Sequence, residues 1–569
     1  AVDSIHQVGV YCLALVPPNY LPKTPLGGIH LHDTKKKFLD GSLHPANVLM
    51  CPHTCVTNLP KPREIHPDVK PSAVHVGNIV QGARMAYAQG RDLGISEEDA
   101  DTSKKFLTEI LRWRSITTPD HVLFTILNSR NQAASSYNCL QLHKRAEKIG
   151  CLLMEKGRLN TGDHVALVFH PGVELVSAFY GCLYVGCVPV TIRPPHPQNV
   201  ASTLPTVRMI VEVSKSVAIL TNSAVIRLLK TKEASAIVDS KTWTNLLDTD
   251  DLPKRKLAAL YRAPTIEMIC YLDFSVSTTG MLAGVKMSHA SAAALCKAQK
   301  LQCELYPSRD VVLCLDPYSG LGFVLWCLSS IYSGHHSILI PPSEVEVNPA
   351  VWLTAVSQYK VRDTFCSYGV MELCTRGLGT STLSLKAKGV NLSCMRSCCV
   401  IAEERPRILL TTAFTKLFAS LGLSPRAVST SFGCRVNVGI CLQGASCPDT
   451  TTVYVDMRAL RNDRVSLVEK GSPHSLCLLE SGKLLPGVKV AIANPETKGQ
   501  CADSHLGEIW VSSGHNTNGY FTIYGDESLH YDHFDSQLAT GDVHGSYART
   551  GYLGFIRRTE LTQSDGERH

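Results

Sequence analysis

The fold is decided by residues 271–289, which read YLDFSVSTTGMLAGVKMSH. A strand-like start leads into hydroxyl-bearing residues, then Gly280 and Gly284, and then a helix-like segment. Small residues let backbone N–H groups approach an anion, and serine and threonine hydroxyls add further donors. The stretch therefore predicts a phosphate-binding loop, although a plain Gly/Ser/Thr-rich turn fits these residues about as well when they are taken alone. It is not a Walker loop, because Gly-Lys-Ser or Gly-Lys-Thr is missing.

The sequence on both sides of this stretch alternates between strand and helix patterns. Residues 165–169 form an apolar, β-branched run between turn signals, which is typical of a parallel strand covered on both faces. Apolar residues from Leu142 to Leu153 lie on one helical stripe. Repeated units of this kind predict mostly parallel sheets with helices outside them, and short strands after about residue 450 predict a smaller β-rich unit. Further strands are expected at 8–16, 217–220, 311–315, 337–340, 399–401, 452–456, 488–493 and 508–512.

Composition limits the class of protein. The chain has 569 residues, 44% apolar and 18% charged, which predicts a globular protein of several structural units. The net charge of +7 is small and scattered, so nucleic-acid binding is disfavoured, and no apolar run reaches the ~18–20 residues of a transmembrane helix. The 22 irregularly spaced cysteines predict reduced thiols in an intracellular, cytoplasmic protein, with membrane association left open for a longer protein. For Cys51, His53 and Cys55, a plain loop is a better interpretation than a zinc site.

The central stretch resembles the signature loop of the adenylate-forming superfamily, with Phe274 in the aromatic position and Thr278, Thr279, Gly280 and Gly284 retained. Other segments resemble further motifs of that superfamily in the same order, namely Ser136-Tyr137, 162–167, 178–183, Ser431-Phe432-Gly433, Pro486-Gly487, 507–511 and Arg549-Thr550-Gly551. Ala283 in the place of the usual lysine, together with residues 365–376, resembles the fatty acyl-AMP ligase branch. The overall sequence is similar to the disco-interacting protein 2 family, which resembles tandem modules of that branch.

The resemblance implies an α/β fold, that of the large N-terminal domain of an adenylate-forming enzyme: two mostly parallel sheets flanked by helices, with a smaller β-rich subdomain and no C-terminal lid. Residues 1–60 would be the tail of a preceding module's lid domain, and residues 61–103 a linker or docking segment. Residues 104–450 would be the α/β adenylation core, and residues 451–569 the β-rich subdomain with the start of the hinge. Residues 21–29 resemble the superfamily's last motif, with Gly28 in the place of its lysine.

The resemblance also implies the residues of the site. Nucleotide-binding roles are implied for Ser275, Ser277, Thr278, Thr279, Gly280, Gly284, Ala402, Glu403, Phe432, Gly433 and Tyr552, and acyl-binding roles for His289, Tyr318, Leu321 and Phe323. Phe432 would stack on adenine, whereas a plain core role for helix 321–326 is favoured over an acyl-binding one. The implied cofactors are ATP or AMP, Mg²⁺ and, for a longer protein, coenzyme A. The implied partners are a carboxylate such as acetate or a fatty acid and the other modules of the same chain.

Several positions depart from the superfamily pattern. Val436 stands where a glutamate helps to hold Mg²⁺, and a hydrocarbon cannot ligate a hard cation. Tyr552 stands where an aspartate accepts the ribose hydroxyls, and Ser319-Gly320 replaces a His-Asp pair. A hydrogen bond to a charged group contributes ~1.5–3 kcal/mol, so loss of the aspartate would cost about one to two decades of ATP affinity. No catalytic residue and no metal ligand is assigned.

Two functions follow from these observations. The first is an acyl-activating module of acyl or lipid metabolism, with little adenylation by these 569 residues alone. The second is a catalytically degenerate module that binds an acyl group, a lipid or a nucleotide, or serves as a protein-interaction scaffold. The family resemblance also implies a role in neuronal development.

Overall fold

The computed structural model describes residues 12–17, 20–22, 29–40, 42–43, 45, 47–50, 106–253, 261–276, 282–403, 406–444, 451–521 and 533–556. The chain divides into two compact units, the first made of residues 1–100 with 306–308 and 446–448, and the second of the remainder. The predicted linker at 61–103 and the cysteines at 51–55 lie outside the described residues. The predicted boundary near residue 450 falls inside the second unit and stays a prediction.

The first unit contains a small antiparallel pair. Strand β1, Cys12–Leu15, pairs with β2, Asn47–Met50, and places Cys12 opposite Met50. Helix α1, Leu31–Leu39, begins after His30, whose Nδ1 accepts a hydrogen bond from the Asp33 amide at 3.3 Å. The predicted strand at 8–16 is confirmed over the part that is described.

The second unit is built from alternating strands and helices. Its described strands are β3 Val122–Leu127, β4 Ala133–Asn138, β5 His164–Val168, β6 Val188–Ile192, β7 Ala218–Thr221, β8 Asn245–Asp248, β9 Ile269–Val276, β10 Leu282–Ser288, β11 Asp310–Cys314, β12 His336–Leu339, β13 Asp363–Cys366, β14 Ser397–Val400, β15 Val428–Thr430, β16 Phe432–Cys434, β17 Asn437–Leu442, β18 Thr452–Asp456, β19 Ser475–Leu479, β20 Lys483–Leu484, β21 Lys489–Ala493, β22 Gly507–Ser512 and β23 Ala548–Gly554. The strands predicted from the second unit's sequence are confirmed to within a residue or two.

The helices lie mostly between these strands. The described ones are α2 Leu107–Thr117, α3 Cys139–Glu155, α4 Val173–Val185, α5 Val200–Val213, α6 Ser223–Leu229, α7 Lys232–Ile237, α8 His289–Cys303, α9 Gly320–Phe323, α10 Ser330–Ser333, α11 Pro342–Val347, α12 Val351–Gln358, α13 Tyr368–Gly377, α14 Thr382–Ala387, α15 Ile408–Phe418 and α16 Met457–Leu460. A π-helical turn, Val324–Ser329, joins α9 to α10, and short 3₁₀ turns lie at Ser240–Thr242 and Ala419–Leu421. None of the helices described is both long and apolar enough to cross a bilayer.

Two mostly parallel sheets form the body of this unit. The six-stranded sheet has the order β10-β9-β6-β5-β7-β8, with β9 and β10 antiparallel. The seven-stranded sheet has the order β15-β14-β13-β11-β12-β3-β4, with β3 and β4 antiparallel. Three small antiparallel sheets, β16-β17-β20, β18-β19 and β21-β22-β23, come from the later sequence. The predicted α/β fold with a β-rich part is therefore confirmed.

Strand β10 lies where the sequence predicts the start of a helix. It pairs with β9 so that Gly284 lies opposite Phe274, and helix α8 begins only at His289. Residues 518–521 bind its other edge, through a hydrogen bond from the Phe521 amide to the Gly284 carbonyl at 2.9 Å and one from the Lys286 amide to the Gly519 carbonyl at 2.9 Å. The expectation of a helix directly after Gly284 was wrong, because pairing on both edges holds these residues extended and local sequence does not reveal distant partners.

The largest core cluster joins residues of both sheets and of the helices between them. Helix α4 is buried at every residue except Glu174, as expected of a helix that is apolar on all sides. It packs against α3, which begins with a capping box formed by Asn138 and Gln141. A Cβ atom on Gly181 would lie 2.6 Å from the Cγ2 atom of Ile149, so the absence of a side chain sets the distance between the two helices.

Replacing this glycine is expected to destabilise the second unit. In Gly181→Ala, the added methyl group would overlap Ile149 and approach the Ala146 carbonyl oxygen at 3.1 Å. We expect the free energy of unfolding, measured by urea titration, to fall by about 1–3 kcal/mol. The control is Gly369→Ala, at an exposed position in the first turn of α13 where the nearest atom to a new Cβ is 3.8 Å away. An equal loss in both variants would contradict the packing argument.

Candidate functional site

The carboxyl ends of several parallel strands carry residues that were predicted to bind the nucleotide or the acyl group. In the seven-stranded sheet, Tyr318 follows β11, Glu403 follows β14 and Phe432 follows β15. Parallel strands place these ends at one edge of the sheet, which is where open α/β sheets bind ligands. In the six-stranded sheet, Ser275 lies near the end of β9. The strands thus explain why residues far apart in sequence meet.

Ser275 is held by an arginine that the sequence did not single out. Nε of Arg435 donates to the Ser275 hydroxyl oxygen at 2.9 Å, and Nη2 donates to the Ser275 carbonyl oxygen at 3.4 Å. Arg435 lies in the turn between β16 and β17, and its side chain is half-buried. The contact brings the turn after Phe432 together with the strand that leads into the predicted phosphate loop.

Three residues of the predicted adenine and ribose side also meet. The rings of Phe432 and Tyr552 pack edge to face, with their centroids 5.4 Å apart. The Tyr552 hydroxyl donates to the Glu403 carbonyl oxygen at 3.3 Å. These residues come from β16, β23 and the segment after β14, so the structure brings together three parts of the chain that the resemblance assigned to one ligand.

Two acidic side chains approach the same glycine. Oδ2 of Asp273 accepts a hydrogen bond from the Gly320 amide at 2.7 Å, and a Cβ atom on Gly320 would lie 3.2 Å from Oε1 of Glu403. Gly320 has a φ of +58°, which favours glycine. Oδ1 of Asp273 is buried and has no hydrogen-bond partner among the described residues. A buried acceptor without a partner is costly, so this oxygen is a candidate partner for a donor that is not among the described residues.

Burial controls the protonation of this pair. Burial raises the pKa of Asp273 to about 7, and the nearby Glu403 carboxyl adds to this rise. The hydrogen bond from the Gly320 amide and the charge of Arg435 act in the opposite direction. Burial of its carboxyl group also raises the pKa of Glu403, again opposed by Arg435. Glu403 as a residue stays exposed to solvent, and water screens part of this effect. The cleft therefore holds one carboxyl that is half-protonated near neutral pH.

The side chain at the position that usually ligates Mg²⁺ in the superfamily points into the protein core. Val436 is 3% exposed and packs with Cys434, Ile440 and Val511 in the core of the β-rich part. Its neighbour Arg435 points to Ser275 instead. No group of three or more His, Cys, Asp or Glu side chains with metal-binding geometry occurs among the residues described. Val436 therefore cannot contribute a ligand to a bound Mg²⁺ ion.

The remaining predicted nucleotide residues have different placements. Ser277, Thr278, Thr279 and Gly280 lie outside the described residues, so their roles stay predictions. Gly284 lies within β10, where a Cβ atom would be 2.6 Å from the Phe274 ring; it makes room for that ring. Gly433 lies in β16, where a Cβ atom would meet the Val438 carbonyl oxygen at 2.2 Å. Ala402 packs against the core beside the seven-stranded sheet.

The predicted acyl side is a closed apolar region. Phe323 packs against Tyr271, with ring centroids 4.8 Å apart, and against Phe179 at 5.3 Å. Leu321 is buried in the same cluster. The Tyr318 hydroxyl donates to the Phe169 carbonyl oxygen at 2.8 Å. These packing partners agree with a core role for the helix, and the acyl-binding role of its residues stays a prediction.

His289 lies apart from these residues in the contacts that are described. It begins α8, its ring packs edge-on against Phe106 at 5.9 Å, and its amide donates to the Met268 carbonyl oxygen. Burial lowers the pKa of His289 to about 4, so the ring is neutral at physiological pH. Its predicted role beside the acyl group has no support from these contacts and stays a prediction.

Sequence reasoning missed Asp273 and Arg435, and each had a signal. Asp273 is the one charged residue in the apolar run 269–276, which predicts a buried acid. Arg435 precedes a valine in a tight turn, where neighbouring side chains point to opposite sides. The sequence shows that Val436 stands in the place of the usual glutamate. It does not show that the adjacent Arg435 contacts Ser275.

Comparison with known proteins adds the family context. The sequence pattern described as "AMP-binding enzyme" matches residues 111–521. The chain is 66% identical over 571 residues to disco-interacting protein 2 homolog A of Mus musculus, covering 100% of this chain and 37% of that protein. It is 62% identical over 583 residues to disco-interacting protein 2 of Drosophila melanogaster, covering 99% and 33%. The chain thus spans about a third of the length of these curated relatives.

A solved structure shares the fold. The fatty acyl-adenylate ligase of L. pneumophila, in complex with acyl adenylate and pyrophosphate, superposes with a TM-score of 0.71 at 24% identity, covering 82% of this chain and 77% of that one. At this identity the similarity establishes the adenylate-forming fold and nothing finer.

The acidic pair predicts a pH dependence of stability. An unfolded aspartate has a pKa of about 3.9, so the raised value in the folded chain means that folding binds a proton between about pH 4 and 7. Asp273 therefore favours the folded state less as the pH rises. We expect Asp273→Asn, which keeps an acceptor for the Gly320 amide, to gain at least about 1 kcal/mol in free energy of unfolding relative to wild type between pH 5 and 8.

The measurement is urea unfolding at several pH values. Asp120→Asn, which removes one exposed carboxylate, corrects for the loss of a negative charge. A difference between Asp273→Asn and wild type that stays constant from pH 5 to 8 would refute the raised pKa.

Proposed function

Because the chain belongs to the disco-interacting protein 2 family and contains an AMP-binding enzyme domain, we propose that it binds an adenylate nucleotide together with a carboxylate, as an acyl-activating module of acyl or lipid metabolism. The observation that carries this proposal is the convergence of Ser275, Glu403, Phe432 and Tyr552 at the carboxyl edge of the sheets. Four segments that are distant in sequence meet where this fold class binds ligands.

Each group in the cleft has a role in this proposal. Phe432 is half-buried, so part of its ring is accessible for stacking on adenine. Tyr552, 41% exposed, offers its hydroxyl to the ribose in place of the usual aspartate. Ser275 and Arg435 bind the phosphate side, and the unpartnered Oδ1 of Asp273 accepts a donor from the ligand.

The proposed reaction forms an acyl-adenylate. A carboxylate oxygen attacks the α-phosphorus of ATP, the bond from that phosphorus to the oxygen bridging to the β-phosphate breaks, and pyrophosphate leaves with the electron pair. The product is a mixed anhydride, acyl-AMP. A thiol such as that of coenzyme A, or another acceptor, then attacks the acyl carbonyl carbon, so that the bond from this carbon to the phosphate oxygen breaks and AMP leaves. The chain's contribution is to position the two reactants and to stabilise the charge on the phosphates.

A second candidate function is binding of the acyl-nucleotide without turnover. The burial of Val436 in the β-rich core and the replacement of the ribose-binding aspartate by Tyr552 favour it. Both changes remove charge-based interactions of the reaction and leave the adenine-side aromatic contact in place. A shared fold does not require a shared reaction.

Nucleotide binding is tested at Phe432. Stacking of a base on an aromatic ring contributes about 1–3 kcal/mol, so we expect Phe432→Ala to weaken binding of a non-hydrolysable acyl-AMP analogue about 5- to 100-fold in calorimetry. Phe432→Leu keeps apolar volume without an aromatic face and should lose nearly as much. Binding that is unchanged in both variants would contradict the adenine site.

Turnover is tested by release of pyrophosphate. A full-length family protein containing this chain is incubated with ATP and a panel of carboxylates from acetate to long-chain fatty acids. We expect slow, carboxylate-dependent release that Thr279→Ala lowers by about 100- to 1000-fold, the loss typical of removing one donor to a developing anion. Binding of the analogue without any release would select the second candidate, and release that survives Thr279→Ala unchanged would reject the predicted loop.

A further inference from the structure

The side chain of Arg435 places a positive charge beside the residues predicted to bind the nucleotide. Arg435 and Val436 are adjacent in the turn between β16 and β17, but only Val436 is sealed in the core, at 3% exposed. The Arg435 side chain reaches the strand that leads into the predicted phosphate loop and donates to both oxygens of Ser275. The guanidinium therefore belongs to the residue immediately before the position where the superfamily carries its Mg²⁺-binding glutamate.

Arg435 has no ion pair with any residue that the structure describes. Its described hydrogen bonds go to the two neutral oxygens of Ser275, and no carboxylate oxygen of the described residues lies within 4.0 Å of it. Guanidinium has five N–H donors in a planar fork, so several donors remain for a ligand. A half-buried cation with spare donors and no ion-pair partner among the described residues is suited to binding a negatively charged ligand group.

The neighbouring acids do not replace that group. Asp273 and Glu403 are near enough to interact electrostatically with Arg435, yet they stay outside ion-pair distance. Burial raises the pKa of Asp273 to about 7, so a large fraction of this carboxyl is neutral at physiological pH. The two carboxyls also do not form a metal site with a third ligand in the described part of the chain. Arg435 is thus the cation that acts on both carboxyls, and neither carboxyl occupies its hydrogen-bond donors.

We propose that Arg435 takes the place of the divalent cation in this chain, so that its guanidinium binds the ligand's phosphate oxygens without a metal ion. The inference rests on the proposed function, because it concerns the phosphates of the same nucleotide. Arginine matches this role, since its paired N–H groups bind two phosphate oxygens at once. A guanidinium also repels an incoming cation, which makes the site selective against Mg²⁺.

The test is calorimetric titration of the 569-residue chain with ATP, once in EDTA and once in excess Mg²⁺. We expect affinities that agree within about threefold, because the metal has no role in binding. Arg435→Gln should weaken ATP binding in EDTA by about 10- to 100-fold, the range expected for losing hydrogen bonds to a charged group. Arg435→Lys, which keeps the charge without the fork, should recover part of the loss.

The control is Arg208→Gln, at a half-buried arginine of α5 that pairs with Glu212, and it should bind ATP as wild type does. Binding that requires Mg²⁺ would overturn the inference and leave the proposed function standing. Metal-independent binding that Arg435→Gln does not change would also overturn it, and would assign Arg435 to holding Ser275. Absence of ATP binding in both buffers would overturn the inference and the proposed nucleotide site together.

Discussion

Parallel strands impose the constraint on which this structure depends, because they deliver their carboxyl ends to a common edge. In the seven-stranded sheet, β11, β13, β14 and β15 are neighbours and run in one direction, so the segments that follow them converge. Gly320 meets Asp273 of the other sheet through a hydrogen bond of 2.7 Å, which links the two edges. The cleft is therefore a product of topology, and the side chains at strand ends determine its chemistry.

Those side chains give the cleft an unusual distribution of charge. Two carboxyl groups, Asp273 and Glu403, lie at one glycine, while the single guanidinium of Arg435 hydrogen-bonds to neutral oxygens. Val436 packs in the core of the β-rich part, whereas the adjacent Arg435 reaches Ser275 and interacts electrostatically with both carboxyls. In the proposed site, the adenylate-forming fold is kept while a different group neutralises the phosphate charge, in line with the general rule that a fold does not fix a reaction.

Much of the fold and part of the candidate site could be predicted from the sequence. The features that could not be predicted were missed for physical reasons. Buried parallel strands such as β5 leave an apolar, β-branched run, and aligned motifs located Glu403, Phe432 and Tyr552, which the structure joins through specific contacts. Strand β10 was missed because its extended form depends on residues 518–521, more than two hundred positions away. Arg435 was missed because one charge in a turn has meaning only when its partner, Ser275, is known.

The pairing of residues 518–521 with β10 has a consequence for the surface of the molecule. β10 is the outermost strand of the six-stranded sheet, and an uncovered edge strand can form hydrogen bonds with a strand of another polypeptide chain. Here the amide of Phe521 and the carbonyl of Gly519 already form hydrogen bonds with the outer edge of β10. The segment 518–521 thus covers the outer edge of β10 and keeps the six-stranded sheet from pairing there with a strand of another molecule.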